Sequence, residues 1–224
     1  MTIQLLESIT IEPNSAATAC VIWLHGLGDS GAGFAPVVPA LKLPSKHGIR
    51  FIFPHAPERA VTINQGYVMK AWYDIKSMDF HNRADMAGVL ASEESIHALI
   101  EDQISAGIPA EKIILAGFSQ GGVISLFTGL RFNKKLAGIM ALSCYLPSAD
   151  KLPDHLHEAN SKTSILQHHG EQDEVVLFSA GKMAHKLLIE QDYKVEWKSY
   201  NMPHSVLPEQ IEDIGRWITK QLIT

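Results

Sequence analysis

The stretch Gly117-Phe118-Ser119-Gln120-Gly121 carries the clearest chemical signal in the chain. It follows the apolar run 112–116 and precedes residues at helical spacing, so it reads as strand, sharp turn, helix. A serine at the apex of such a turn is presented to a substrate, and flanking glycines leave space where neighbouring Cβ atoms would collide. Ser119 is therefore a candidate nucleophile, placed where the free N–H groups of a helix N-terminus favour developing negative charge. A hydroxyl is a poor nucleophile near neutral pH and needs a base, which an acid must orient. Asp173 stands just beyond the apolar run 163–168, and His204 lies on the loop before the last helical segment. In chain order the three supply nucleophile, acid and base for acyl transfer.

Competing assignments follow from the same residues. Asp173 also suits the N-cap of a helix expected over 174–190. Asp150 and Asp154 remain alternatives for the acid, because they too follow a strand. His185 falls inside the expected helix, while His168 and His169 precede the acid. Upstream, His25-Gly26-Leu27-Gly28-Asp29-Ser30-Gly31 follows an apolar strand and can turn backbone N–H groups toward an oxyanion. Its best donor is the Leu27 N–H, paired with that of Gln120, the residue after the nucleophile. The loop lacks the Gly-Lys-Ser/Thr ending of a phosphate cradle. Of the 11 histidines, only His155/His157 and His168/His169 stand close together, without a persuasive third ligand. The chemistry requires no cofactor, and no metal is expected.

The elements that must position these groups are legible as alternation. Apolar runs at 18–24, 49–53, 112–116, 136–142, 163–168 and 194–200 read as strands, most of them continuously apolar as in a parallel sheet covered on both faces. The run 194–200 alternates instead, which suits an edge, and residues 3–11 suit another edge strand or hairpin. Between them, Ile96, Leu99, Ile100 and Ile104 mark a helix ended by Gly107 and Pro109. Val176, Ala180, Met183, Leu187 and Leu188 mark a second, and Leu207, Ile211, Ile214, Ile218 and Leu222 a third. The pattern predicts a three-layer α/β fold in a single domain over 1–224. Residues 54–83 are less periodic and predict a long excursion over the C-terminal edge of the sheet. Its Val68, Met69, Trp72, Tyr73, Ile75, Met78 and Phe80 offer an apolar surface for an acyl chain or a lipid.

Composition narrows the classes. The formal charge of −5, from 24 acidic against 19 basic residues, offers no basic stripe for a nucleic-acid backbone. Two cysteines, Cys20 and Cys144, make no disulfide framework. The N-terminus lacks a signal-peptide pattern and no apolar run reaches spanning length, so a cytoplasmic enzyme is expected. The second functional class compatible with the residues is a non-catalytic acyl-chain binding protein.

The motifs together resemble the lysophospholipase/carboxylesterase family that includes acyl-protein thioesterases. They are His25-Gly-Leu-Gly-Asp-Ser-Gly31, Phe53-Pro-His-Ala-Pro57, Trp72-Tyr-Asp-Ile75, Gly117-Phe-Ser-Gln-Gly-Gly122, His169-Gly-x-x-Asp173-x-Val-Val and His204-Ser-Val206. The resemblance spans about residues 19–217. It implies a small α/β-hydrolase with a mostly parallel central sheet flanked by helices and no large lid domain. It places nucleophile, acid and base at Ser119, Asp173 and His204, and oxyanion donors at Leu27 and Gln120. It further implies hydrolysis of carboxyl esters, acyl thioesters or lysophospholipids, with acylated proteins among the substrates. The 54–83 excursion becomes a substrate-binding loop, with Trp72, Tyr73 and Met69 as binding residues and Trp72 and Tyr73 near the entrance. A cytosolic homodimer with transient peripheral membrane contact completes the expectation. Two local features depart from the family pattern: Glu174, where proline often follows the acid, and Asn201-Met202-Pro203 before His204 in place of a glycine-containing pattern.

Overall fold

The computed structural model describes residues 5–77, 83–148 and 156–223. Met78, Phe80, Asp150, Asp154 and His155 lie outside them, as do parts of the segments 3–11 and 54–83. Seven strands form one sheet: β1 (Ser8–Ile11), β2 (Ala19–Leu24), β3 (Ile49–Pro54), β6 (Ile113–Phe118), β7 (Gly138–Leu142), β8 (Ser164–Gly170) and β9 (Val195–Tyr200). Their spatial order is β1-β3-β2-β6-β7-β8-β9; β1 pairs antiparallel to β3 and every other pair is parallel. The alternating run ends at the β9 edge.

Successive side chains of a strand point to opposite faces, and a continuously apolar strand therefore supplies two cores at once. Cys20, Ile22 and Leu24 of β2 join Ile113 and Leu115 of β6 and Ile139 and Ala141 of β7 in one cluster. Ala19, Val21 and Trp23 join Ile114, Ala116, Met140 and Leu142 in the other. The first face is covered by α2 (Met86–Ser105), α3 (Gln120–Arg131) and α4 (Phe178–Glu190). The second is covered by α5 (Pro208–Leu222), which inserts Ile211, Ile214, Trp217, Ile218 and Leu222. A short helix α1 (Gly31–Phe34) follows the glycine loop. No helix among the described residues is long and apolar enough to cross a membrane.

Strand order places the site. From β2 the chain moves outward to β3, then returns across β2 to β6 and continues outward the other way. The C-terminal ends of β2 and β6 thus diverge into a crevice, the place where open α/β sheets bind ligands. Residues 70–72 of the excursion reach this crevice through bonds to Gly28, Gln120 and His25, and β4 (Glu58–Val61) and β5 (Tyr67–Lys70) pair as a separate antiparallel ribbon.

One helix differs from expectation. The segment expected as a helix from 174 becomes helical only at Phe178, because the Asp173 carboxylate takes the N–H groups of Val175 and Val176 into a tight turn. Gly181, Ala184 and Leu188 then face the core, and Met183 is exposed. Both cysteines are buried and unpaired, and burial pushes each thiol up to about 12.

Buried histidines make this fold acid-sensitive. Burial, reinforced by nearby Lys198, lowers His168 to about 3, while an unfolded chain protonates near 6.5. The unfolded state therefore binds protons first, and stability falls as pH drops below 6.5 toward 3. Between pH 7 and pH 5 this single group is expected to remove about 2 kcal/mol, seen as a lowered urea midpoint. A His168→Gln protein that loses as much stability over the same interval would assign the effect elsewhere.

Candidate active site

Ser119 sits between β6 and α3 with φ 54° and ψ −120°, a backbone conformation that L-residues seldom adopt. Its N–H bonds the Leu142 carbonyl of β7, tying the turn to the neighbouring strand. Two glycines make that turn possible by close approach. A Cβ on Gly117 would lie 2.2 Å from the Gly121 carbonyl oxygen, and one on Gly121 would lie 2.4 Å from that of Leu24. A side chain at Gly117 would push the start of α3 off β6, and one at Gly121 would push it off the end of β2.

The loops after β8 and β9 bring the other two groups in. His204 Nε2 lies 2.8 Å from Ser119 Oγ, and His204 Nδ1 lies 2.6 Å from Asp173 Oδ2. Asp173 is 4% exposed, and its other oxygen accepts the Val175 and Val176 N–H groups at 2.9 and 2.8 Å. Burial pushes its carboxyl upward, but the hydrogen bonds from His204, Val176 and Val175 outweigh that and leave it below the ordinary carboxylate value. A carboxylate that stays ionised and has one oxygen already occupied can face His204 in one way. That arrangement places the imidazole proton on Nδ1 and leaves Nε2 as acceptor toward Ser119. The Phe118 ring packs 4.8 Å from the imidazole centroid and limits its swing.

The glycine loop is held on both sides. Gly28 donates its N–H to the Lys70 carbonyl at 2.9 Å, and Gly31 donates to His55 Nδ1 at 3.1 Å. Gly28 N–H is thereby committed, whereas Leu27 stands half-buried between Gly26 and Gly28. A Cβ on Gly26 would lie 3.4 Å from Ser119 Cβ, so the loop runs directly beside the hydroxyl. Gln120, first residue of α3, has an N–H that the helix itself does not use.

The structure corrects the expected position of Trp72 and Tyr73. Neither lies at an entrance or faces a lipid surface; they are 0% and 1% exposed. The Trp72 N–H bonds Gln120 Oε1 and its indole N–H bonds the His25 carbonyl, while the Tyr73 hydroxyl meets that of Tyr145. These bonds and their apolar surroundings draw both rings inward. Met69 differs: it is half-buried, and its sulfur would lie 3.5 Å from a Cβ on Gly28. It forms an apolar wall next to the glycine loop.

Sequence reasoning passed over two polar groups here. His169 Nε2 donates to the Val176 carbonyl at 2.8 Å and lies 3.5 Å from Asp173 Oδ2; burial lowers its basicity and keeps it neutral. Its signal was adjacency to the acid motif. His25 accepts the Ala56 N–H at Nε2 and donates from Nδ1 to the Gly26 carbonyl. Its place at the end of β2, before the glycines, was the available clue. His185 packs against Trp197, and His168 against Tyr200, away from the hydroxyl.

Among the described residues, no three His, Cys, Asp or Glu side chains group as metal ligands. A cleft of about 330 Å³ between β9 and α5 contains none of the three linked groups. Its Lys198, Arg216 and Lys220 are paired with Asp213 and Glu196, and the cleft reads as a surface ion-pair network.

The Phospholipase/Carboxylesterase family matches residues 6–222. The chain belongs to this family. Acyl-protein thioesterase 1 of Yarrowia lipolytica is 39% identical over 220 residues, covering 96% of this chain and 97% of the relative. Acyl-protein thioesterase 1 of Gibberella zeae is 38% identical over 217 residues, covering 93% and 92%. The crystal structure of Arabidopsis thaliana SOBER1 superposes with a TM-score of 0.86 at 34% identity, over 91% of this chain and 99% of that one. Zea mays acyl-protein thioesterase 2 gives 0.86 at 28% identity, over 96% and 99%. The fold is that of an α/β-hydrolase, and as a member of this family the chain is an enzyme of serine-hydrolase type.

The elbow generates a direct test. In Gly121→Ala the new methyl meets the Leu24 carbonyl, and overpacking of this kind costs about 2–3 kcal/mol. Thermal unfolding is expected to shift down, and esterase activity to fall even well below the new midpoint. Unchanged unfolding and activity would mean that the close contact of α3 with β2 is dispensable.

Proposed function

We propose that the protein is a serine carboxylesterase that cleaves carboxyl esters and acyl thioesters through an acyl-enzyme on Ser119. The single observation supporting this reading most is the continuous hydrogen-bonded chain Ser119 Oγ, His204, Asp173, at 2.8 and 2.6 Å. A protein that only bound acyl chains would need neither this chain nor a backbone held at φ 54°.

In the proposed cycle, Ser119 Oγ attacks the acyl carbon while His204 Nε2 takes its proton. Asp173 stabilises the resulting imidazolium without accepting the proton itself. The Leu27 and Gln120 N–H groups receive the developing oxyanion. His204 then protonates the departing alcohol or thiol, and the acyl group stays on Ser119. Water, deprotonated by the same imidazole, releases the acid and restores the hydroxyl.

Leu27, Met69 and Phe118 give the site a half-buried apolar wall, which suits an acyl chain. Long-chain thioesters, lysophospholipids and acylated proteins are the proposed natural substrates, in keeping with relatives named acyl-protein thioesterase. Such substrates imply work at a membrane surface by a cytoplasmic enzyme, and we extend the proposal to transient membrane contact and a homodimer.

The reading predicts hydrolysis of p-nitrophenyl esters and of long-chain acyl thioesters. It also predicts fluorophosphonate labelling that maps to Ser119. Ser119→Ala is expected to lose labelling and at least about 10³-fold in kcat, and Asp173→Asn about 10³–10⁴-fold. Turnover that survives Ser119→Ala undiminished would place the nucleophile elsewhere.

A further inference from the structure

The Gln120 side chain is 3% exposed and bonded at both ends, although only its backbone N–H enters the proposed cycle. Its Oε1 accepts the Trp72 N–H at 2.8 Å, and its Nε2 donates to the Tyr73 carbonyl at 2.7 Å. The two bonds imitate a strand pairing: one carboxamide grips a dipeptide of the excursion from the first residue of α3. Trp72 continues the connection, its indole N–H donating to the His25 carbonyl at 2.9 Å and its own carbonyl accepting from the Ser92 hydroxyl of α2. His25, in turn, donates to the Gly26 carbonyl at 2.7 Å and accepts the Ala56 N–H at 3.0 Å.

Followed through, these bonds form a closed brace. The elbow amide of residue 120 and the glycine loop at 25–28 follow different strands, β6 and β2, which are paired as far as Gly117 and Leu24; beyond that pair no backbone–backbone hydrogen bond joins the two loops among the described residues. The 72–73 segment spans them, tied by Gln120 on one side and by His25 on the other. Its apolar packing, with Trp72 and Tyr73 buried, makes it a stiff spacer. Every polar atom of the grip is buried, so a lost partner leaves an unpaired group that must shift to find another.

We infer that the Gln120 carboxamide, acting through Trp72 and His25, is a positioning element that sets the spacing of the two oxyanion N–H donors. This rests on the reading of Ser119 as nucleophile and assigns the excursion a task in the chemical step, separate from any contact with substrate. An oxyanion donor is effective only when it points at the position the oxygen reaches in the transition state, and small displacements lower kcat more than substrate binding.

Gln120→Met tests this, since it keeps chain length and the backbone N–H while removing both polar contacts. With a p-nitrophenyl ester, kcat is expected to fall about 10–100-fold with KM within about twofold of wild type. The inhibition constant of a trifluoromethyl ketone, which forms an oxyanion on the serine, should rise by a similar factor. Trp72→Phe keeps an aromatic ring, removes the indole donor together with part of the buried ring volume, and should move both quantities in the same direction by a smaller factor. This second variant carries the test if Gln120→Met does not fold, as judged by circular dichroism. A side chain that merely stabilises the fold would lower the unfolding temperature and leave kcat and ketone binding unchanged, which overturns the inference. If the wild-type protein hydrolyses no ester, the nucleophile reading falls and this one with it. If the wild type turns over and the folded variants match it, only the brace is refuted.

Discussion

The backbone of Ser119 is the constraint on which the rest of the site depends. A non-glycine residue at φ 54° and ψ −120° costs on the order of 1–3 kcal/mol and persists only where its surroundings over-determine it. Here the Leu142 carbonyl holds its N–H, and buried residues of α3 anchor the helix that follows. Gly117 and Gly121 let the two arms of the turn approach closer than any side chain would permit. Relaxing the turn would carry the hydroxyl away from His204 and also reorient the Gln120 N–H, because both leave the same bend.

Around that point, the sheet's reversal of strand order supplies the crevice and two loops supply the charge. Asp173 is kept ionised despite burial because its two oxygens receive separate partners, backbone N–H groups on one and His204 on the other. His169, neutral and packed beneath, fixes the far end of the same turn through the Val176 carbonyl. Ser119, His204 and Asp173 meet side chain to side chain, while the groups that support them, one Asp173 oxygen, His169, His25 and the Gln120 carboxamide, are bonded to backbone. This gives each support a defined orientation and avoids the mutual adjustment that two flexible side chains would need.

Much of this was readable from local pattern. Continuously apolar strands announced a sheet buried on both faces, since only that arrangement hides every residue of 19–24 or 138–142. Ser119, Asp173 and His204 were each marked by standing just beyond a strand, where an α/β sheet exposes its loops. The start of α4 was misread because Asp173 can cap a helix or close a turn, and the residues nearby allow both. His204 decides between them by binding one carboxylate oxygen and leaving the other to Val175 and Val176. Met183 was a separate misreading: the buried face of α4 runs through Gly181, Ala184 and Leu188, one position round from the expected stripe, and leaves Met183 exposed.

Trp72 and Tyr73 show where sequence reading ends. Aromatic residues in a weakly periodic excursion look the same on paper whether they face a lipid or a core. Their direction is settled by partners 47 to 72 positions away, Gln120, His25 and Tyr145, whose proximity no local pattern encodes. By itself, the sequence determined the sheet, its two buried faces and the residue types available for acyl transfer, because periodicity and strand-end position are local properties. Tertiary structure alone decided which hydroxyl, imidazole and carboxylate meet, and that the excursion turns its rings inward. Those outcomes are distances between remote segments, set by strand order and by the requirement that buried polar groups find partners.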